Sequence, residues 1–220
     1  MTVRYMLIAT TALTLAACGE RAETTARTTT AQTTAAANDA GAAVSETATD
    51  VGQSAPVNAV QDAVGAAVGQ AAAATANSVE AYVSNAAMSD MYERESSQLA
   101  LAKGQAAGVK AFAKQMIADH TATTAKVKSI IAADKLAVTP PAALDARRKG
   151  FIDNLNAASG AAFDKAYVSQ QVASHEEALT LHRSYVDDGD NAKLKAFAAE
   201  TAPKVQMHLE MVQKLDIPAR

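Results

Sequence analysis

The chain has 220 residues, 49% of them hydrophobic but only 4% aromatic, and a formal net charge of −3 at pH 7. Its 20 basic residues are outnumbered by 23 acidic ones, and the acidic excess lies entirely before residue 78. This balance excludes the strongly basic surface that binding to nucleic acid or anionic lipid requires. With a single cysteine, the chain cannot form an internal disulfide, so its stability must come from packing.

The first 17 residues have the three parts of a secretory signal. Arg4 gives a basic start, an apolar stretch follows from Tyr5 to Leu15, and small residues precede Cys18. The apolar stretch is too short to span a bilayer as a helix. We therefore predict that residues 1–17 are a signal peptide that directs export.

The residues around the predicted cleavage site, Leu15-Ala16-Ala17-Cys18, resemble the bacterial lipobox. The resemblance implies that the cysteine receives a diacylglycerol, becomes the new N-terminus and is held on the membrane by its acyl chains. Gly19 follows, where an Asp would be typical of retention in the inner membrane, so we expect the outer membrane, facing the periplasm. The alternative is an ordinary secretory signal followed by a chance cysteine.

Residues 18–77 are rich in Ala and Thr and contain no Leu, Ile, Met or aromatic residue. A segment of this composition cannot bury enough apolar surface to fold by itself. Gly65 and Gly69 also weaken the one helical repeat in the segment. That repeat consists of Val57, Val60, Val64 and Val68. We predict a disordered tether that spans roughly 40 Å as a flexible coil.

Residues 78–220 hold every aromatic residue that follows the signal, and their apolar positions repeat every three or four residues. This spacing is typical of amphipathic helices. A short helix is expected in the middle connection, after Pro140 and Pro141, and Gly104 is expected to end the first helix in the left-handed conformation. The four long helices are predicted near 79–103, 107–133, 160–187 and 191–215.

The predicted fold is therefore an all-α, ferritin-like antiparallel four-helix bundle preceded by a disordered tether. Short links near Gly104 and Gly189 join the long helices into two antiparallel hairpins. The longer middle connection can cross the full length of the bundle, as in ferritin-like folds. An up-down-up-down arrangement is the alternative.

Each long helix places an acidic residue or a histidine among the apolar positions that face inward. These residues are Glu95, His120 with Asp119 at the edge of the same face, His175 and His208. Burial of such groups costs free energy unless they are paired, so we expect them to meet one another. His182, seven residues after His175, is expected to be half exposed.

Two interpretations of this set remain open. Neutral imidazole and carboxylate suit zinc, iron, copper or manganese, so one hypothesis is a single transition metal ion held by two or three of the side chains. The other is a hydrogen-bonded network that fixes the helix register. A di-iron centre of the ferritin type is disfavoured, because it uses Glu-x-x-His pairs and the sequence has none.

Four stretches of the domain carry recognisable motifs. They are residues 87–101, residues 109–120, Phe163-Asp164-Lys165-Ala166-Tyr167 before His175, and Thr201-Ala202-Pro203 before His208. Together they resemble the predicted outer membrane protein family called domain of unknown function 4142. The resemblance implies a ferritin-like bundle in the bacterial envelope. Its motif residues here are Glu93, Glu95, Asp119, His120, Phe163, Asp164, Tyr167, His175, Pro203 and His208.

One residue departs from the pattern of that family. Arg94 stands where the pattern suggests an aliphatic residue, so Glu93 is expected to be less buried here than in the family. The resemblance implies no established reaction.

The sequence contains no nucleophile elbow, P-loop or dinucleotide-binding fingerprint. We therefore expect a membrane-anchored lipoprotein without a catalytic role, whose bundle binds a partner or supports stress tolerance. The alternative is a metal-binding or metal-dependent redox protein that uses the inward-facing glutamate and histidine residues.

Overall fold

The computed structural model describes residues 55–217, and these residues form six helices and no strand. The helices are α1 (Ala55–Ala73), α2 (Val79–Lys103), α3 (Ala107–Asp134), α4 (Ala146–Ala157), α5 (Gly160–Asp188) and α6 (Ala192–Gln213). The all-α fold class is confirmed. The predicted signal peptide, Cys18 and the first part of the predicted tether lie outside the described residues. None of the helices in the described range is long and apolar enough to cross a membrane.

Side-chain caps fix the points at which two of the bundle helices begin. Ser78 Oγ accepts a hydrogen bond from the backbone N–H of Ala81 at the start of α2. Asn191 Oδ1 accepts from the N–H groups of Lys193 and Leu194 at the start of α6. These caps satisfy N–H groups that the first turn of a helix leaves without an intrahelical partner.

Helix α2 ends at Gly104, but not in the conformation that the sequence predicted. The φ angle of Gly104 is −60°, so the expectation of a left-handed residue is wrong. A Cβ atom at this position would lie 2.5 Å from the carbonyl oxygen of Ala100, which is closer than a real Cβ contact. Glycine is therefore needed because the backbone turns tightly against the end of its own helix.

Two contacts at opposite ends of the bundle define its connectivity. At one end, the carboxylate of Asp164, near the start of α5, accepts from the backbone N–H of Gln105 in the α2–α3 turn at 3.0 Å. At the other end, the N–H of Asp190, after α5, donates to the carbonyl oxygen of Asn77, before α2. Helices α3 and α5 therefore run in the same direction. The connection between them, which includes α4, crosses the length of the bundle as in ferritin-like folds, and the up-down-up-down alternative is excluded.

The segment predicted to be a tether ends in a helix that packs on the bundle. Helix α1 contacts α5 and α4, and the carboxylate of Asp62 accepts from the side-chain amides of Asn154 at 2.7 Å and Gln170 at 2.6 Å. The prediction of a disordered tether over residues 18–77 is therefore wrong from residue 55 onward.

The reason for this error is that α1 docks through small residues. A Cβ atom at Gly69 would overlap the carboxylate of Glu177 and the guanidinium of Arg147, so the absence of a side chain lets α1 approach the bundle closely. Ala73, at the end of the helix, is 1% exposed. A search for large apolar residues does not detect packing of this kind.

The hairpins α2–α3 and α5–α6 pack together through α2 against α5 and α3 against α6. Two hydrophobic clusters fill most of the interior, and a layer of polar residues lies between them. On α3, for example, His120 lies between Met116 of one cluster and Val127 of the other. The fold thus places side chains from all four long helices in one buried polar layer.

Candidate metal centre

Three histidines from three helices meet in the polar layer: His120 of α3, His175 of α5 and His208 of α6. We call these three residues the histidine triad. Their ring centroids are 6.0, 6.0 and 5.6 Å apart, and one ring nitrogen from each lies within 4.8 Å of the other two. The residues are 7%, 1% and 3% exposed. The sequence predicted that all three face inward and meet, and the structure brings them together.

Each histidine of the triad is held by one ring nitrogen. His120 Nδ1 is 2.8 Å from a carboxylate oxygen of Asp90, and His208 Nε2 is 2.9 Å from a carboxylate oxygen of Asp119. His175 Nδ1 is 2.8 Å from the backbone carbonyl oxygen one turn earlier in α5. Since carbonyl and carboxylate oxygens accept hydrogen bonds, the ring nitrogen in each pair carries the proton and donates.

The opposite ring nitrogens are His120 Nε2, His175 Nε2 and His208 Nδ1. All three are buried and have no hydrogen-bond partner within residues 55–217. Because the first nitrogen of each ring holds the proton, the second presents a lone pair when the ring is neutral. Buried polar atoms without partners cost free energy. Three such lone pairs in one buried space therefore favour a cation between them.

Asp90, which orients His120, is itself fixed by two hydroxyl groups. Thr123 and Thr124 each donate to one of its carboxylate oxygens at 2.8 Å. A carboxylate that holds the far nitrogen of a histidine is the usual outer partner of a metal-ligating imidazole. Asp90 was not among the site residues predicted from the sequence. The available signal was its position three residues before Glu93, which puts both carboxylates on one face of α2.

Helix α2 also contributes the carboxylate of Glu93, which is 1% exposed. Its Oε1 lies 3.9 Å from Nδ1 of His175, and neither oxygen has a well-formed hydrogen bond from the residues that the structure describes. Burial raises the pKa of Glu93 to about 7, against the opposing effects of the His120 charge and the Gln171 side chain. Glu93 lies beside the triad without belonging to the group of ring nitrogens.

The expectation that Arg94 makes Glu93 less buried is wrong. Glu93 is fully enclosed, whereas Arg94 is only partly buried. Successive residues point about 100° apart around a helix. Arg94 therefore faces a different environment and leaves the burial of Glu93 unchanged.

The surroundings of the three histidines shift their pKa values in different directions. Burial lowers the pKa of His175 to about 3, and the charges of His120 and His208 act in the same direction. Burial also lowers the pKa of His208, with a partial offset from Asp119. Burial acts to lower the pKa of His120 too, but the nearby carboxylates, above all Asp90, outweigh it and the pKa is raised. Metal ligands must be unprotonated, so His120 is the position at which a proton competes with a metal.

Glu95 does not belong to the site. The structure places it on the exposed side of α2, about 200° around the helix from Glu93, so the prediction that it faces inward is wrong. That prediction took Met88 and Leu99 as the buried stripe of α2. The buried face is instead largely polar in the middle of the helix, where it includes Asp90, Glu93, Ser96 and Ser97.

His182 is buried, at 6% exposure, so the prediction of a half-exposed side chain is wrong. Its Nδ1 is 2.8 Å from the hydroxyl of Tyr82, and burial lowers its pKa to about 4. It is not part of the histidine triad. His182 therefore serves as a matched buried histidine outside the triad.

The remaining motif residues have structural positions. Phe163 and Tyr167 are fully buried, and the hydroxyl of Tyr167 is 2.9 Å from Ser97 Oγ. Asp164 accepts the N–H groups of the α2–α3 turn, and Pro203 lies within α6, which continues through it. Asp119 orients His208 and is partly exposed, which makes it an outer partner of the triad.

One family model covers nearly all of the described chain, including the triad and both buried carboxylates of α2. It is described as Domain of unknown function (DUF4142), and it matches residues 64–215. The chain belongs to this family. No curated protein and no solved structure matches it. The description of the DUF4142 family assigns no activity, so function has to be inferred from the site itself.

Proposed function

We propose that the bundle binds one divalent transition metal ion through His120 Nε2, His175 Nε2 and His208 Nδ1. The observation that carries this proposal is that these nitrogens are buried without partners among the described residues, while the opposite nitrogen of each ring is held by an acceptor. Metal-ligating histidines are oriented in this way. The other interpretation of the sequence is a purely structural hydrogen-bonded network. In such a network these lone pairs would accept hydrogen bonds.

The dimensions of the triad suit a metal ion. Metal–imidazole bonds of about 2.0–2.1 Å place tetrahedral ligand nitrogens about 3.4 Å apart. One ring nitrogen from each histidine already lies within 4.8 Å of the other two, so movements of about 1 Å or less complete the site. Neutral imidazole suits zinc, copper, iron or nickel. The carboxylates of Asp90, Asp119 and Glu93 offset the charge of the ion in a buried site, where charges interact strongly.

The carboxylates favour one ion over two. A di-iron centre requires carboxylates that bridge the metals, but Asp90 is occupied by His120 and by two threonine hydroxyls. Glu93 alone remains near the triad without a well-formed hydrogen bond from the described chain. A mononuclear site is therefore the arrangement that these residues support.

Zinc titration of the metal-free full-length chain, followed by calorimetry, tests this proposal. The chain carries Cys18→Ser, which removes its only thiol and hence the one competing sulfur ligand. We expect one equivalent of zinc to bind. His175→Ala and His208→Ala should each weaken binding by at least about 100-fold, because even outer partners of metal ligands are worth 10- to 100-fold.

The matched control is His182→Gln, which replaces a buried histidine outside the triad and should leave zinc affinity unchanged. Circular dichroism confirms that each variant remains helical. The proposal fails when the parent chain binds no zinc, or when His182→Gln weakens binding as much as His175→Ala does.

We also propose that the chain is an envelope lipoprotein attached through Cys18, with its bundle facing the periplasm. The support for this is the signal pattern of residues 1–17 and the lipobox-like Leu15-Ala16-Ala17-Cys18. Labelled fatty acid should be incorporated into the wild-type protein and not into Cys18→Ser, and Gly19→Asp should move the protein toward the inner membrane. Label that persists in Cys18→Ser would contradict attachment at this residue.

A further inference from the structure

A cavity of about 110 Å³ leads from the surface of the bundle to the histidine triad. The buried residues that line it include His120, His208, His182 and Thr201, and its exposed residues include Lys126, Glu200 and Lys204. The cavity thus has a buried floor at the triad and a charged rim on α3 and α6.

The cavity reaches only one side of the triad. His120 and His208 line it, whereas within the described chain neither His175 nor Glu93 does. His175 is 1% exposed and closes the inner side. An ion held by the three nitrogens would therefore have protein on its inner side and the cavity on its outer side.

We propose that a metal ion in the triad has a fourth coordination position that faces this cavity and exchanges water for a small anion. The inference rests on the proposed metal site and extends it to a class of ligand. Three protein ligands with an open fourth position are typical of zinc sites that react with external molecules, whereas structural zinc sites are closed by four protein ligands. Within residues 55–217, the triad is the group of side chains whose ligand atoms converge closely enough to hold a metal.

Size and charge define the kind of anion. A volume of about 110 Å³ holds several water molecules, so an anion of three or four heavy atoms fits within it. Lys126 is paired with Glu200 at the rim, Lys204 adds a positive charge there, and Asp90 and Asp119 line the cavity where they hold His120 and His208. A bound divalent ion would supply most of the attraction for an anion, and the charge of Lys204 adds to it. Azide is a suitable probe because it is a small anionic metal ligand.

Cobalt substitution separates the metal site from the open position. The metal-free full-length Cys18→Ser chain is loaded with Co²⁺, and its visible absorption is recorded before and during titration with azide. The expected result is an intense cobalt spectrum that azide changes along a saturable curve for one binding site. A chain that gives no protein-bound cobalt spectrum contradicts both the proposed function and this inference. A cobalt spectrum that azide leaves unchanged contradicts this inference alone.

Two lysine variants test whether azide enters through this cavity. Lys204→Gln, at the rim, should weaken azide binding roughly two- to fivefold without changing cobalt affinity, because exposed charges act weakly over such distances. Lys128→Gln, an exposed position of α3 that does not line the cavity, is the matched control and should have no effect. Equal azide affinities in the two variants would overturn the assignment of the open position to this cavity.

Discussion

Two groups of buried polar side chains in this bundle differ in how completely they are paired. Around Glu177, both carboxylate oxygens accept from Arg147, at 2.8 and 2.9 Å, and one also accepts from Arg148 at 2.7 Å. In the histidine triad, one nitrogen of each ring has no partner among the described residues. The Glu177 network is complete without a ligand, whereas the triad is not. The degree of pairing, more than burial or charge, therefore distinguishes a structural cluster from a candidate binding site.

The largest effect is expected where a complete network loses a member. Glu177→Ala leaves the guanidinium of Arg147 without its carboxylate partner and that of Arg148 with Asp145 as its remaining described one, and we expect a loss of about 3–5 kcal/mol in the free energy of unfolding. Urea denaturation measures this loss, and Glu176→Ala, at the exposed neighbouring position, is the control. Zinc affinity of the folded Glu177→Ala protein should be unchanged. A loss below about 1 kcal/mol would show that the network is not structural.

A smaller effect is expected at Asp62, where α1 docks on the bundle. Burial raises the pKa of Asp62 from 3.8 to about 6, against the hydrogen bonds from Gln170 and Asn154. A raised folded-state pKa contributes stability that is fully present below pH 3.8 and is lost as the pH rises through 6. The wild-type protein should therefore lose about 1–2 kcal/mol between pH 4.5 and pH 7.5 through this group, after allowance for partial exposure.

Asp62→Asn should remove that part of the pH dependence, and Asp187→Asn, at an exposed position, should retain it. Urea denaturation of the three proteins at the two pH values measures the difference, and the comparison cancels the titration of other groups. The same pH dependence in Asp62→Asn and in the wild type would contradict the assignment to Asp62.

The third prediction concerns an outer partner of the triad. Asp90→Asn keeps the size of the side chain but removes the charge that orients His120, so zinc affinity should fall by about 10- to 100-fold. Calorimetric titration measures the change. Glu95→Gln, at an exposed position of the same helix, should bind zinc as the parent does. An unchanged affinity in Asp90→Asn would mean that Asp90 does not support a metal ligand.

The histidine triad could be predicted from the sequence because its members interrupt apolar stripes. His120 lies four residues after Met116, and His208 lies between Val205 and Val212. In both helices the flanking apolar residues are buried. The 3.6-residue period therefore predicts correctly that these histidines face inward.

The apolar pattern is misleading on α2 because the middle of that helix's buried face is polar. Asp90 and Glu93 replace the apolar residues that normally mark the inward side, so the stripe of Met88 and Leu99 pointed to Glu95. The information that would have corrected this assignment lies on other helices, in His120, which pairs with Asp90, and in His175, which lies beside Glu93. Long-range pairing of this kind leaves no local period in the sequence.

Helix α1 was missed for a different reason. Its contact with the bundle depends on Gly69, whose lack of a side chain permits close approach, and on Asp62, which hydrogen-bonds across to α4 and α5. Glycine and aspartate are typical of flexible segments when they are considered locally. Only the surface against which they pack makes them part of a folded helix.

X-ray absorption spectroscopy at the zinc edge, on the zinc-loaded full-length Cys18→Ser chain, tests the central claim most directly. We predict one zinc per chain with three imidazole nitrogens at about 2.0–2.1 Å, reduced to two or to an unbound ion in His175→Ala. The contrary result would be a chain that retains no zinc after removal of free metal, or zinc surrounded by oxygen ligands alone.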